Sequence, residues 1–282
     1  MIQRRSFRAM GTDVELFLAA APGAAADQAL AAAEAEFERV EALLSRFRPE
    51  SELSELNARG RTEDAGDDLL AVLELALDAR ERTGGRFDPT VHDALVAAGY
   101  DRTFERVAPD GAATAVAARC GGRVRVSGRT IELEPGTHLD FGGIGKGYTV
   151  DRAAAILSVA GPAMVDAGGD IAALGRPDAL GWRVGVEHLT LALENAAVAT
   201  SGSDRRRWRR DGEERHHLID PATGRSAASD LLRVSVVAET AVEAEVLAKS
   251  LFLAGEREAL VSGVPAVLVT QNGHVAIAGG LA

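Results

Sequence analysis

The sequence predicts an α+β protein, one compact body over residues 1–282 with helices packed on a mainly antiparallel sheet, and three observations carry that expectation. Segments with helical apolar spacing and segments with two-residue alternation both occur. The strand candidates of the second half follow one another across glycine pairs and polar turns, whereas βαβ units would alternate them with helices. No internal repeat and no linker divides the chain.

The elements follow in order. Residues 14–18 form a short strand candidate. Over 24–47, Leu30, Ala33, Phe37, Val40, Leu44 and Phe47 recur at three- and four-residue spacings, which draws one apolar stripe on a helix too short for a coiled coil. Residues 67–82 form a second helix, stopped by Gly84-Gly85. Val124 and Val126, then Ile131 and Leu133, alternate around Ser127-Gly128 as a hairpin does. Residues 147–160 return to helix, closed by Gly161-Pro162. Strands are expected at 164–166, 171–174, 182–186, 189–193 and 231–238. The last long helix starts after Thr240, with Glu243 completing the T-x-x-E capping pattern, and runs to about Gly255. Residues 266–270 and 274–278 pair around Asn272-Gly273, a dipeptide that tolerates positive φ.

Composition narrows the function classes. A net charge of −11 repels nucleic-acid phosphates, so a nucleic-acid partner is not expected. The arginine run 205–210, interrupted by Trp208, reads as a solvated hairpin, with contact to an acidic partner as the intermediate alternative. The single Cys120 can make neither an intrachain disulfide nor a thiolate zinc site. No apolar run suits a signal peptide or a membrane span, so a cytoplasmic protein without membrane insertion is expected.

Four segments hold more glycine, acid and isolated base than packing requires: GGRFDPTV at 84–91, DFGGIGKGYTVD at 140–151, VDAGGD at 165–170, and HHLIDPATG at 216–224 behind an SGS at 201–203. Glycines let backbone amides approach a phosphate, and Lys146 at a helix start adds a full charge to the helix-terminal partial charge, so a diphosphate suits this place. GGIGKG matches neither the P-loop nor the G-x-G-x-x-G fingerprint, and a glycine turn with a solvated lysine is the plain alternative. His217 with Asp220 is the acid-base candidate: neutral imidazole can take a hydroxyl proton, and a carboxylate can orient it. A satisfied strand histidine is the alternative. His216 should point to the opposite face.

Taken in order with AMGT at 9–12, SRFRPESELSELN at 45–57 and ATSGS at 199–203, these segments make the chain resemble the FAD:protein FMN transferases, the ApbE family, over nearly its whole length. The resemblance implies FAD bound across a cleft and attack of an acceptor protein's Thr or Ser hydroxyl on the flavin-side phosphorus, with AMP leaving. It places Met10, Phe47, Arg86, Phe87, Asp88, Asp140, Lys146 and Leu218 at FAD-contacting positions, and a histidine at 217. Phe47 and Phe87 have core packing as their alternative reading, Asp88 and Asp140 turn capping.

The family also implies magnesium held by an aspartate, a threonine four residues later and a backbone carbonyl, here that of Gly143. The aligned segment is AEVLAKS, with Glu245 and Lys249 at the two side-chain positions. Glutamate can bind magnesium, but an ammonium offers donors only. Either Lys249 occupies the metal position, or it pairs with Glu245 along the helix. The functions carried forward are FMN transfer, FAD binding without transfer, and FAD hydrolysis to FMN and AMP.

Overall fold

The computed structural model describes residues 1–107, 118, 120–210 and 212–281. Its elements are β1 (Ile2–Ala9), β2 (Thr12–Ala19), α1 (Ala24–Leu44), α2 (Glu52–Arg59), β3 (Arg61–Thr62), α3 (Asp67–Arg82) and α4 (His92–Ala97). The middle of the chain gives β4 (Val124–Ser127), β5 (Thr130–Leu133), α5 (Gly145–Ser158), β6 (Ala163–Ala167), β7 (Asp170–Leu174), β8 (Trp182–Val186), β9 (Leu189–Leu193) and β10 (Ala196–Gly202). The remainder gives β11 (Arg207–Arg210), β12 (Glu213–His216), β13 (Ile219–Asp220), β14 (Arg225–Ser226), β15 (Leu231–Ala238), α6 (Ala241–Ala254), α7 (Glu256–Val261), β16 (Ala266–Thr270) and β17 (Val275–Ala278).

An eight-stranded sheet runs β1-β2-β6-β7-β10-β15-β16-β17, and every pairing in it is antiparallel, as the sequence predicts. The two-residue period sorts its side chains between two faces. Val14, Leu16, Leu18, Val165 and Ala172 face α1 and α5, and Val234, Val236 and Leu268 face α6. Ile171, Val198 and Val267 point the other way and are covered by Trp182, Val184, Val186 and Leu193 of the β8–β9 hairpin. A fourth cluster joins the end of α1 with α2, α3, β5 and the loop before α5 through Leu44, Leu53, Leu69, Leu73, Ile131, Phe87, Phe141 and Ile144.

α3, β8, β9 and β15 begin and end where expected. The helix expected over 24–47 stops at Leu44, because Ser45 turns extended and Ser51 opens α2 by capping Ser54 N–H. α5 starts at Gly145, two residues early, since Gly145 N–H already donates to Phe141 O at 2.7 Å. β1, β10 and the short pairs β11–β12 and β13–β14 carry weaker alternation; β10 is set between β7 and β15, whereas β1, β11 and β13 each pair with the strand that follows. Thr240 caps α6 by accepting from Glu243 N–H, as the capping pattern predicts. Among the described residues no helix is long and apolar enough to cross a membrane.

Candidate functional site

A cleft of about 340 Å³ opens where three apolar clusters meet. Leu44, Phe87 and Phe141 form one wall, Leu218 a second, and Leu95, Tyr100 and Ile219 a third. At the rim, Met10 and Gly11 have φ of 50° and 69° and close the β1–β2 hairpin as a two-residue turn of the kind that matches strand twist. Met10 N–H donates to Glu41 at 2.8 Å, which ties that turn to α1.

Arg46, just past α1, pairs its guanidinium with the carboxylate of Asp140, and each side chain is only 6% exposed. The same guanidinium donates to Tyr100 O at 2.6 Å and lies over the Phe47 and Tyr100 rings, 4.1 and 5.0 Å from their centroids. Asp140 also accepts from Gly142 N–H at 2.7 Å. One buried ion pair thereby fixes the glycine loop that leads into α5, and its charges are satisfied on several sides as a buried pair requires.

α5 and α6 form the floor. Their backbones approach so closely at Gly147 that a Cβ there would stand 2.7 Å from Ala241 O. Asp151 of α5 accepts from the N–H groups of Ala241 and Val242, at 2.7 and 3.0 Å, and so fixes the start of α6. Behind the floor Glu245 is 1% exposed. One of its oxygens accepts from Gly147 N–H at 2.9 Å; the other accepts from Lys249 Nζ at 3.1 Å and has Lys146 Nζ at 3.5 Å. Lys146 also lies against Asp170. The two lysines line the cleft while the two carboxylates sit behind them, so the floor presents ammonium groups to an incoming ligand.

Burial pulls Lys146 down to about 8, opposed by Glu245 and reinforced by Lys249 and Arg206. Burial acts to raise the Glu245 carboxyl, but Lys249, Lys146 and Gly147 N–H outweigh it, and the group stays ionised. The stem of Lys249 packs on Gly143, where an added Cβ would meet Cε at 3.2 Å. Of the two alternatives the sequence left open, the structure shows the pairing of Lys249 with Glu245 along the helix.

His217 lines the cleft, and burial, then the charges of Arg206, Lys249, His216 and Lys146, hold its imidazole well below the ordinary range. It is neutral near pH 7. His216 points the other way, Nε2 at 3.0 Å from Ala227 O and ring edge-on to Phe252. The pairing of His217 with Asp220 is corrected: the Asp220 carboxylate accepts from Ala222 N–H at 2.9 Å and Thr223 Oγ1 at 3.2 Å, while His217 Nδ1 has no hydrogen-bond partner. Asp220 precedes Pro221, and an Asp-Pro turn satisfies its own carboxylate locally.

Met10, Phe47, Arg86, Phe87, Asp88, Asp140, Gly143, Lys146, Leu218 and Lys249 all border this one cleft, from segments spread over 240 residues. Phe87 is at once a wall and part of the core, and Asp88 also caps its turn by accepting from Thr90 N–H and Oγ1 at 2.8 and 2.7 Å. Arg86 at the rim pairs with Glu258 at 2.7 Å.

The sequence model described as ApbE family matches residues 10–265. The chain belongs to the ApbE family. Among curated members of the family, the FAD:protein FMN transferase of Treponema pallidum (strain Nichols) is 31% identical over 280 residues, covering 86% of this chain and 76% of that relative. The one from Rhodobacter capsulatus is 30% identical over 296 residues, with 96% of this chain and 56% of the relative covered. Solved family members share the fold. The ApbE protein of Thermotoga maritima superposes with a TM-score of 0.87 at 24% identity, over 99% of this chain and 97% of that one. The flavinyl transferase ApbE of Pseudomonas stutzeri gives 0.83 at 22% identity, over 99% and 95%.

Three cleft residues escape sequence reasoning. Arg46 sits in the SRFRPE segment, but its partner lies 94 positions away (140 − 46), and no local signal announces a buried arginine. Arg206 belongs to the arginine run read as a hairpin; β11–β12 is that hairpin, with Trp208 buried beneath it and Arg206, at φ 47°, turned to the cleft. Tyr100, between them, packs at a tilt against Phe47 and Trp208, with ring centroids 5.7 and 5.6 Å away.

Proposed function

We propose that the chain is an enzyme that transfers FMN from FAD to a threonine or serine hydroxyl of an acceptor protein, with AMP as the leaving group. The observation that carries this reading is a neutral histidine and two ammonium groups on one cleft wall and floor, the set a phosphoryl transfer needs. Met10, Phe47, Phe87 and Leu218 offer apolar surface to flat rings, and Lys146 with Lys249 meets the diphosphate. His217 accepts the hydroxyl proton as the new O–P bond forms to the flavin-side phosphorus, and the anhydride bond breaks to release AMP. Asp140 and Arg46 hold the glycine loop rather than touch the reacting atoms. The curated relatives named FAD:protein FMN transferase support the same reaction. In a cytoplasmic setting the acceptor is a soluble or cytoplasm-facing protein.

Magnesium fits this floor poorly. Both oxygens of Glu245 already accept from cationic or amide donors, and a dication would have to enter between two ammonium groups. The reading therefore assigns charge neutralisation to Lys146 and Lys249, with no step through a metal. The test is incubation with FAD and a threonine-bearing acceptor peptide, with EDTA and with magnesium, followed by mass analysis. Peptide gaining FMN in EDTA supports the reading. FMN and AMP without peptide modification would make the chain a diphosphatase, and FAD retained intact would make it a flavin carrier.

A further inference from the structure

Outside the cleft, His92, Asp93 and His138 bring one ligand atom each to within 4.8 Å of one another. Both imidazoles turn Nδ1 to the same carboxylate: His92 at 2.8 Å, and His138 at 2.9 Å from each oxygen. The rings stand 5.5 Å apart, tilted by 51°. The side chains are 22%, 35% and 37% exposed, so an ion can reach them and keep water as further ligands. In a chain with 31 lysines and arginines, the ion pairs that Asp93 makes among the described residues are to these two imidazoles and to no permanent cation.

The site is also held in advance. Asn57 grips the residue after His138, accepting from Leu139 N–H at 2.7 Å and donating to Leu139 O at 2.8 Å. Asp140 N–H donates to Pro89 O at 2.8 Å and ties the loop of His138 to the turn ahead of His92. Two cis ligands about 2.1 Å from one ion lie roughly 3 Å apart, close to the nitrogen–oxygen spacings here.

We propose that His92, Asp93 and His138 form a binding site for a first-row divalent transition metal such as Zn²⁺, Ni²⁺ or Co²⁺, separate from the flavin cleft. Two nitrogens and one carboxylate suit these ions and not magnesium, which prefers an all-oxygen shell. Each imidazole binds through Nδ1 after moving its proton to Nε2, so neutral histidines enter without net proton release. Val91, next to His92, and Asp140, two residues after His138, line the cleft, and the ion thus clips together two segments of its wall.

The test uses untagged full-length protein stripped by a chelator and free of flavin. Titration with Co²⁺ followed by visible absorption, and with Ni²⁺ by calorimetry, should show one equivalent bound in the micromolar range. His92→Ala and His138→Ala should each weaken binding at least tenfold, whereas His274→Ala, on an exposed turn, should not. In the wild type, Co²⁺ should broaden the imidazole signals of His92 and His138 before those of His216 and His217, a readout that requires no variant to fold. Absence of binding, binding that survives both substitutions, or broadening confined to the cleft histidines would each overturn the proposal.

Discussion

At the scale of single residues, the proposed function makes Lys249 one of the two groups that meet the diphosphate. Its head is 3.1 Å from Glu245 and its stem lies against Gly143, so an ammonium group stands beside the carboxylate that the family resemblance would give to magnesium. Lys249→Met should weaken FAD binding by about 1.5–3 kcal/mol, roughly 10- to 100-fold, the range for a lost charged hydrogen bond. Lys249→Thr with Glu245→Asp should make transfer respond to magnesium, and a double variant indifferent to magnesium would count against the exchange of roles. His217 gives a second residue-scale expectation. Its pKa is lowered, so as pH falls the imidazole stays an unprotonated base below the point where an ordinary histidine has charged, and the acid limb of the transfer rate should lie below about 6.5. Arg206→Gln removes a neighbouring positive charge, which should move that limb upward; an unmoved pH–rate profile would exclude the coupling.

Among the elements, the α5–α6 crossing sets the floor geometry. Gly147→Ala would put a methyl 2.7 Å from Ala241 O, against the Ala241–Val242 peptide and with no flexible side chain there to yield. Overpacking of this kind costs about 1–3 kcal/mol, and here it also parts Lys146 from Glu245. Thermal unfolding should fall by several degrees and FAD affinity should fall with it; a variant that unfolds earlier but binds FAD normally would show that the crossing does not position the lysines. The same crossing shows what was legible in the sequence. Strand alternation located β8 and β9, and local punctuation located α3 through its glycine stop and α6 through its capping pattern. The glycines announced a place where backbones or a ligand approach closely, without saying which. Gly147 meets backbone, and Gly143 meets Lys249. Short pairs such as β13–β14, two residues a strand, are too brief for an alternation to show, and Asp220 looked like a histidine's partner because adjacency in sequence does not reveal a carboxylate already spent on its own turn.

For the molecule as a whole, the cleft is the junction of three apolar clusters whose segments lie far apart in sequence, so a ligand filling it ties them together. A ligand at a hundred times its Kd stabilises the folded state by about 2.7 kcal/mol, and FAD should therefore raise the unfolding temperature measurably. Because the floor cations are lysines, that rise should be the same in EDTA as in magnesium. Its pH dependence has a fixed sign. Lys146 titrates near 8 in the free protein and must carry its proton to hold the diphosphate, so binding is strongest below that pH and weakens as pH rises through it. One pH unit above 8 the free protein must first take up a proton at a cost of about 1.4 kcal/mol, a loss of roughly tenfold in affinity. Calorimetric titration with FAD between pH 7 and 9.5, on the wild type and on Lys146→Met, measures this directly. The wild type should lose affinity with pH, and the variant should bind weakly with a flat profile. Equal slopes in the two proteins would mean that some other group governs anion binding at the floor.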